Sequence, residues 1–320
     1  MLRLHTWLFP ALVVLAASTV AQSQSYPVKP IRLVVPLAPG GGNDTLARYM
    51  GKHLTDNLGQ QIVVENRPGG GGRVGAEHVA RAAPDGYTLL MSGTGQLVVS
   101  LTHGKPDMRT DFAPIAIIGE YPSLLAVHPS LPVVTVNDLI KLAKSRPGQI
   151  NYASAGNGSA GHLVMEMLRT MAGIDIVHIP YKGAGPAMIE VMAGQVSLIF
   201  NNPLASLPHV KAGRLRALAV SGSRRMTAAP DIPTVAESGL PGFDATLFLG
   251  ILGPAATPRD IVTRLNGEVV MIVQRREVQN TLLQQGMEPV GSTPEQFAAR
   301  IRSDMDKLAK VIRDSGLRLN

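Results

Sequence analysis

Leu33-Val34-Val35-Pro36-Leu37-Ala38-Pro39-Gly40-Gly41-Gly42-Asn43-Asp44 passes from an apolar run through three glycines into Thr45-Leu46-Ala47-Arg48. A second stretch repeats the design: Asn151-Tyr152-Ala153-Ser154-Ala155-Gly156-Asn157-Gly158-Ser159-Ala160-Gly161-His162-Leu163. Each reads as strand, glycine loop and helix start. A helix N-terminus offers unpaired N–H groups and the positive end of the helix dipole. Glycines let a ligand approach that backbone closely. Each loop is therefore a candidate anion cradle, the alternative being a tight turn that only permits close packing. Two such loops, far apart in the chain, predict two lobes gripping one negatively charged ligand.

Outward from these loops the pattern stays α/β. The run Ile31 to Pro36 reads as a buried strand. Asp44 reads as the cap of the helix that follows, with Leu46, Ala47, Met50, Leu54 and Leu58 at helical spacing and Gly59 as its stop. Strand 61–65, helix 74–83 and strand 87–91 complete a β-α-β-α-β run, so a parallel sheet covered by helices is expected. Strands 112–118 and 123–128 come next, then a helix from Val136 to Ser145 capped by Thr135. Around the second glycine loop lie strand 149–153, helix 162–171, strand 174–179, helix 186–193 and strands 196–200 and 215–220. Strand 247–252 leads to a helix opened by Pro258 at its first position and running to about Gln274. Thr293, with Gln296 three residues on, caps a last helix to Ser315. The simplest arrangement has the chain crossing between lobes near 120–127 and 245–250.

Composition narrows the function. The chain has 320 residues, 45% of them hydrophobic, enough for one large or two medium cores. Arg3, an apolar stretch from Trp7 to Ala17 too short to span a bilayer, and the small residues from Ser18 to Ser23 read as a cleavable signal peptide covering 1–25. The mature chain is expected in a periplasm. The absence of cysteine excludes disulfides, thiolate catalysis, Cys-ligated metals and a lipobox. The net charge of +7 comes from scattered Lys and Arg, and only 4% of residues are aromatic, which argues against nucleic acid as a partner. Mild attraction of small anions fits better.

The remaining motifs are weaker. Gly156, Gly158 and Gly161 have the spacing of a dinucleotide fingerprint, but Asp175 precedes the next apolar run instead of ending it, and an exported chain has little access to nicotinamide cofactors. Gly69 to Gly72 lead into Arg73-Val74, so no P-loop is present, and a flexible connection is expected there. The histidines lack metal-ligand spacing, and no carboxylate pair sits at two loop ends. Ser159 and His162 form a candidate hydrolase pair, yet their surroundings are not a nucleophile elbow. At a helix start Ser159 reads as a cap or a ligand donor, and His162 as a ligand contact or a packed first-turn residue. Tyr181-Lys182-Gly183 follows a strand, where Lys182 would offset a carboxylate and Tyr181 would donate a hydrogen bond.

Together these segments resemble the Bug (TctC-like) family of periplasmic receptors of tripartite tricarboxylate transporters. The matching stretches include Pro39-Gly40-Gly41-Gly42-Asn43-Asp44, Val64-Glu65-Asn66-Arg67-Pro68-Gly69, Ala83-Pro84-Asp85-Gly86-Tyr87-Thr88-Leu89, Asn151-Tyr152-Ala153-Ser154 and Pro180-Tyr181-Lys182-Gly183. Gly213-Arg214-Leu215-Arg216-Ala217-Leu218-Ala219 and Ile232-Pro233-Thr234-Val235-Ala236-Glu237 extend them. The resemblance implies a two-lobed periplasmic-binding-protein fold that closes like a Venus flytrap, each lobe a mostly parallel sheet flanked by helices. Residues 26–122 and 248–320 would form one lobe and 123–247 the other. It also implies an organic acid as ligand, with one carboxylate held by backbone amides and bridging waters at the loops beginning near Ala38 and Ser154. Membrane subunits of the transporter, or a sensor kinase, would be the protein partner of a monomer; no cofactor, metal or catalytic residue is implied.

The expected site combines both readings. Main-chain donors at Gly40, Gly41 and Gly42, beside Ala38, Pro39 and Asp44, bind from one lobe. Those at Ala155, Gly156 and Ser159, beside Gly158, bind from the other. Side chains of Ser92, Thr94, Gln96, Ser154, His162, Tyr181, Lys182 and Asn202, with Gly183, set specificity. The chain departs from the family pattern at Gln96-Leu97-Val98-Val99-Ser100 and at Phe248, where many relatives carry a His-Ala-x-Asn-Pro-like stretch and a Trp. The chemistry of the ligand's far end therefore cannot be copied from a relative.

Overall fold

A computed structural model describes residues 26–314. The expected signal peptide and the expected helix end at Ser315 lie outside the described residues. In chain order the strands are β1 (Ile31–Val35), β2 (Ile62–Asn66), β3 (Thr88–Gly93), β4 (Phe112–Pro122), β5 (Leu124–Val127), β6 (Asn151–Ser154), β7 (Val177–Pro180), β8 (Leu198–Asn201), β9 (Arg216–Val220), β10 (Thr246–Pro254) and β11 (Glu288–Pro289). The helices are α1 (Gly42–Leu58), α2 (Arg73–Ala80), α3 (Thr94–His103), α4 (Val136–Ser145), α5 (Ala160–Ala172), α6 (Ala184–Met192), α7 (Pro203–Lys211), α8 (Arg259–Gln274), α9 (Arg276–Gln284) and α10 (Pro294–Asp314).

Two mixed sheets result, one per lobe. The first has the order β11-β4-β10-β3-β1-β2, and the second β7-β6-β8-β5-β9. Strands β1, β2 and β3 are mutually parallel where they pair, as are β6, β7 and β8; β10, β4 and β5 run antiparallel to their neighbours. Both sheets are covered on both faces, which is why their strands read as continuous apolar runs. In the first sheet Ile31, Leu33 and Val35 join one core, while Val34, Leu90 and Leu252 join the other. In the second, Leu125, Tyr152 and Phe200 face one side and Ala126, Ala153 and Ile199 the opposite one. Each large side chain so buried contributes about 1.5–3 kcal/mol.

The chain passes between the sheets twice, and two buried serines tie the crossings together. Ser123, between β4 and β5, donates its N–H to Ser221 Oγ at 2.7 Å, and Ser221 N–H returns to Ser123 O at 2.8 Å. Ser221 Oγ donates onward to Ala245 O at 2.7 Å, just before β10.

Several local expectations change. Asp44 is not the cap of α1: Gly41 is, and Asp44 sits in the first turn, where its carboxylate accepts from Gly40 N–H at 3.1 Å. Pro258 is the cap residue of α8, not its first helical residue. Helices α3, α7 and α9 are not among the expected elements; α3 contains the β-branched Val98, Val99 and Thr102, and α7 contains Pro203 and Pro208. The Gly69–Gly72 loop is a packed contact and not a loose connection. All four glycines have positive φ, and a Cβ on Gly71 would overlap the carbonyl oxygen of Asn157 in the second lobe. By contrast, the Thr135 cap of α4 and the reciprocal Thr293–Gln296 box of α10 form as expected.

Candidate functional site

The first glycine loop is held from three directions. Asn66 Nδ2 donates to Leu37 O at 3.0 Å, Gly40 N–H is bound by Asp44, and Ala38 N–H donates across the cleft to Lys182 O at 3.1 Å. Burial works to raise the Asp44 carboxyl, but the Arg48 guanidinium, Gly40 N–H and Asn66 outweigh it and hold it below its ordinary range. Asp44 is therefore an anion committed to Arg48, 2.9 Å away, and it is absent from the cavity wall.

The second loop is built on Ser154 and two histidines. Ser154 Oγ accepts from Gly156 N–H at 3.1 Å and lies 2.6 Å from His178 Nε2. His162 Nδ1 accepts from Gly158 N–H at 3.1 Å. Ser159 caps α5 by accepting from His162 N–H at 3.4 Å. The serine hydroxyl thus faces the backbone, and the imidazole nitrogen facing the loop is occupied. Burial, and then the neighbouring His178, push the His162 pKa down to about 4. Among the described residues no carboxylate orients His162 as a catalytic base would require: Glu166, one turn on, accepts from Tyr152 Oη at 2.6 Å and from Arg169 Nε at 2.9 Å.

Between the loops lies a cavity of about 50 Å³. Its wall is made largely of helix starts. Gly41, Gly42 and Asn43 open α1; Gly93, Thr94, Gly95 and Gln96 open α3; Ser159, Ala160 and Gly161 open α5; Ala184 opens α6. First-turn amides have no acceptor within their own helix. Asn202 caps α7 through its Oδ1, which accepts from Leu204 N–H at 2.9 Å. Its Nδ2 is buried without a partner at the cavity wall. No charged side chain lines the cavity among the described residues. Leu37, Tyr121, Ile199, Phe200, Leu247 and Leu249 supply its apolar walls. Burial drives the Tyr121 phenol well above its usual range, so it stays a neutral group beside Asn202.

The expected site residues separate into those at the cavity and those behind it. Ala38, Gly41, Gly42, Thr94, Gln96, Ala155, Ser159 and Asn202 line it. Gly40, Ser154, Gly156, Gly158 and His162 shape the loops from below. Pro39 and Gly183 lie in the lobe-to-lobe contact, where a Cβ on Gly183 would come within 2.6 Å of Ala38 N. Lys182 contributes its carbonyl to that contact while its side chain is exposed. Tyr181 packs against the apolar cluster of β6, α6 and β8. Ser92 is buried off the cavity. Phe248 points to the other face of the sheet, where its ring meets Phe297 at 5.5 Å; its neighbours Leu247 and Leu249 face the cavity instead. Gln96 caps its own helix, Oε1 accepting from Gly93 N–H at 3.0 Å. Tyr121, Ser123, Asn201 and Gly71 were missed. Tyr121, Ser123 and Asn201 sit at strand ends near the crossings, the usual place for a site in an open sheet.

Among the described residues, no cluster of His, Asp or Glu could hold a metal ion, and no helix is long and apolar enough to cross a membrane.

Known proteins resemble this chain over most of its length. The model of the tripartite tricarboxylate transporter family receptor matches residues 46–317. The chain is similar to protein BugT of Bordetella pertussis, 36% identical over 301 residues, covering 93% of this chain and 92% of BugT. A solved structure from R. palustris with adipate is 35% identical, with a TM-score of 0.87, covering 91% of this chain and 98% of that one. MatC from Rhodopseudomonas palustris with bound malate is 30% identical, with a TM-score of 0.85, covering 90% and 100%.

Proposed function

We propose, from the premise that this chain belongs to the tripartite tricarboxylate transporter receptor family, that it captures a small organic carboxylate in the periplasm and delivers it to the membrane subunits of such a transporter. One observation carries the ligand class: four helix starts converge on a cavity that, among the described residues, has no charged side chain in its wall. Dipole ends and fixed amides favour a carboxylate there without a lysine or arginine, as at other helix N-termini. The relatives with adipate and with malate support an organic acid.

The proposed donors are the amides of Gly42 and Asn43, of Thr94 and Gly95, and of Ala160 and Gly161, with Asn202 Nδ2. Gly40, Gly156, Gly158 and His162 hold these donors in place. Residues 26–122 with 246–314 form one lobe and 123–245 the other, with Ser123 and Ser221 at the hinge. Residues 1–25 direct export and are removed. The protein binds its ligand without converting it, because Ser159 and His162 lack the hydrogen bond that would make them a nucleophile and base.

Isothermal titration calorimetry of the mature chain against malate, adipate, glutamate and benzoate tests the reading. One acid binding at one equivalent, with its amide silent, is the expected result. Binding confined to sugars or amines would overturn it.

A further inference from the structure

Beneath the second glycine loop two imidazoles are stacked beside a tyrosine ring. His162 and His178 lie 3.9 Å apart at 9°, and Tyr152 flanks both, 4.8 Å from His178 and 6.3 Å from His162. The two imidazoles reach opposite ends of the loop. His178 Nε2 holds Ser154, which in turn holds Gly156, and His162 Nδ1 accepts from Gly158 N–H. Between those anchors lies Ala155, which faces the cavity, and directly after them Ser159 begins α5.

We infer that His162 and His178 are positioning residues for ligand capture: an uncharged, stacked imidazole pair that fixes the loop from Ser154 to Ser159 and thereby aims the first amides of α5 at the cavity. The inference rests on the proposed carboxylate site. Neutral rings suit the brace: Gly158 donates to Nδ1 of His162, which a proton at that nitrogen would block, and two imidazolium rings would repel face to face at 3.9 Å.

The surroundings keep them so. Burial lowers both histidines. The nearest acid, Glu166 on α5, pulls the other way, but it is committed to Arg169 on the same helix and to Tyr152 on β6. The loop-facing nitrogen of each ring, Nδ1 of His162 and Nε2 of His178, is committed to the brace. The place of buried His162 and half-buried His178 beside the loop is thus explained by the groups they hold, Gly158 N–H and the Ser154 hydroxyl.

Alanine at either position removes an anchor. His162→Asn keeps an acceptor for Gly158, and His178→Gln keeps a polar partner for Ser154. In the ligand-free mature protein, amide exchange at Gly156 and Gly158 is expected to rise at least tenfold in His162→Ala and His178→Ala. It should stay within threefold of wild type in the Asn and Gln variants. In wild type the Gly158 amide shift should also follow the His162 ring through its titration near pH 4, and that inflection should vanish in His162→Asn.

Dissociation constants for malate and adipate should weaken at least tenfold in the alanine variants and recover in the conservative ones. Unchanged exchange at Gly156 and Gly158 in the alanine variants, or binding that does not recover in the conservative variants at equal Tm, would overturn the inference. If wild type binds none of malate, adipate, glutamate and benzoate, the carboxylate reading fails on its own, and the exchange rates still decide the brace.

Discussion

Asn202 concentrates two jobs in one side chain. Its Oδ1 caps α7 and its Nδ2 is a buried donor without a protein partner at the cavity wall. Replacement by aspartate separates them. The cap survives, because a carboxylate accepts from Leu204 N–H and suits a helix N-terminus. The donor is replaced by a negative charge, so affinity for the ligand acid should fall more than tenfold while Tm stays within a few degrees; calorimetry and thermal melting read the two effects. His162 yields a second residue-scale prediction. Its folded pKa of about 4 lies below the ordinary value of 6.5, so the unfolded chain takes up the proton first. Stability from this group is present above about pH 6.5 and is lost as pH falls towards 4, by at most on the order of 3 kcal/mol. Urea unfolding between pH 7 and pH 4 should show that loss, and His162→Asn should shrink it. A slope unchanged by the substitution would contradict the neutral ring.

At the scale of elements, the glycine loops and most strands were legible because apolar runs and cap residues are local signals. Thr135 and the Thr293–Gln296 pair marked their helices correctly, since the bonds involved span only three residues. Helix α3 was not read, although Gly93 and Gly104 bracket it and Leu97 and Leu101 share one face. Its β-branched residues have weak helix propensity, and tertiary packing of that apolar segment overrode it. Asn202 followed by Pro203 was a start signal for α7 that Pro208 obscured. Phe248 could have been placed by strand alternation alone: Leu247 and Leu249 share a face that it cannot. What no local pattern contains is contact between distant loops, which is why Gly69–Gly72 read as loose. The serine tie at the crossings belongs to the same class. Ser221→Ala leaves the buried Ser123 N–H without its acceptor, a loss of about 1–3 kcal/mol that urea unfolding should register.

For the whole molecule, the lobes meet at glycines, and the proposed capture of a ligand predicts that closure depends on them. Gly185 in α6 lies outside the left-handed region, so alanine is compatible with its φ; the Pro39 carbonyl oxygen of the opposite lobe stands where its Cβ would go, with Pro39 C and Gly40 C close behind. Gly185→Ala should therefore fold normally and bind at least tenfold more weakly. X-ray scattering should show a radius of gyration that no longer contracts on ligand addition. A variant that binds and contracts like wild type would remove the glycine contact from the closing motion. The helix starts gathered around an uncharged cavity remain the centre of the functional reading, and one comparison addresses them directly: thermal melting of the mature chain with a carboxylic acid and with its primary amide. An acid at 100 times its dissociation constant should add about 2.7 kcal/mol of stability, raising Tm by several degrees, while the amide leaves it unmoved. Equal shifts from acid and amide, or shifts only from sugars or amines, would show that the helix starts do not select an anion.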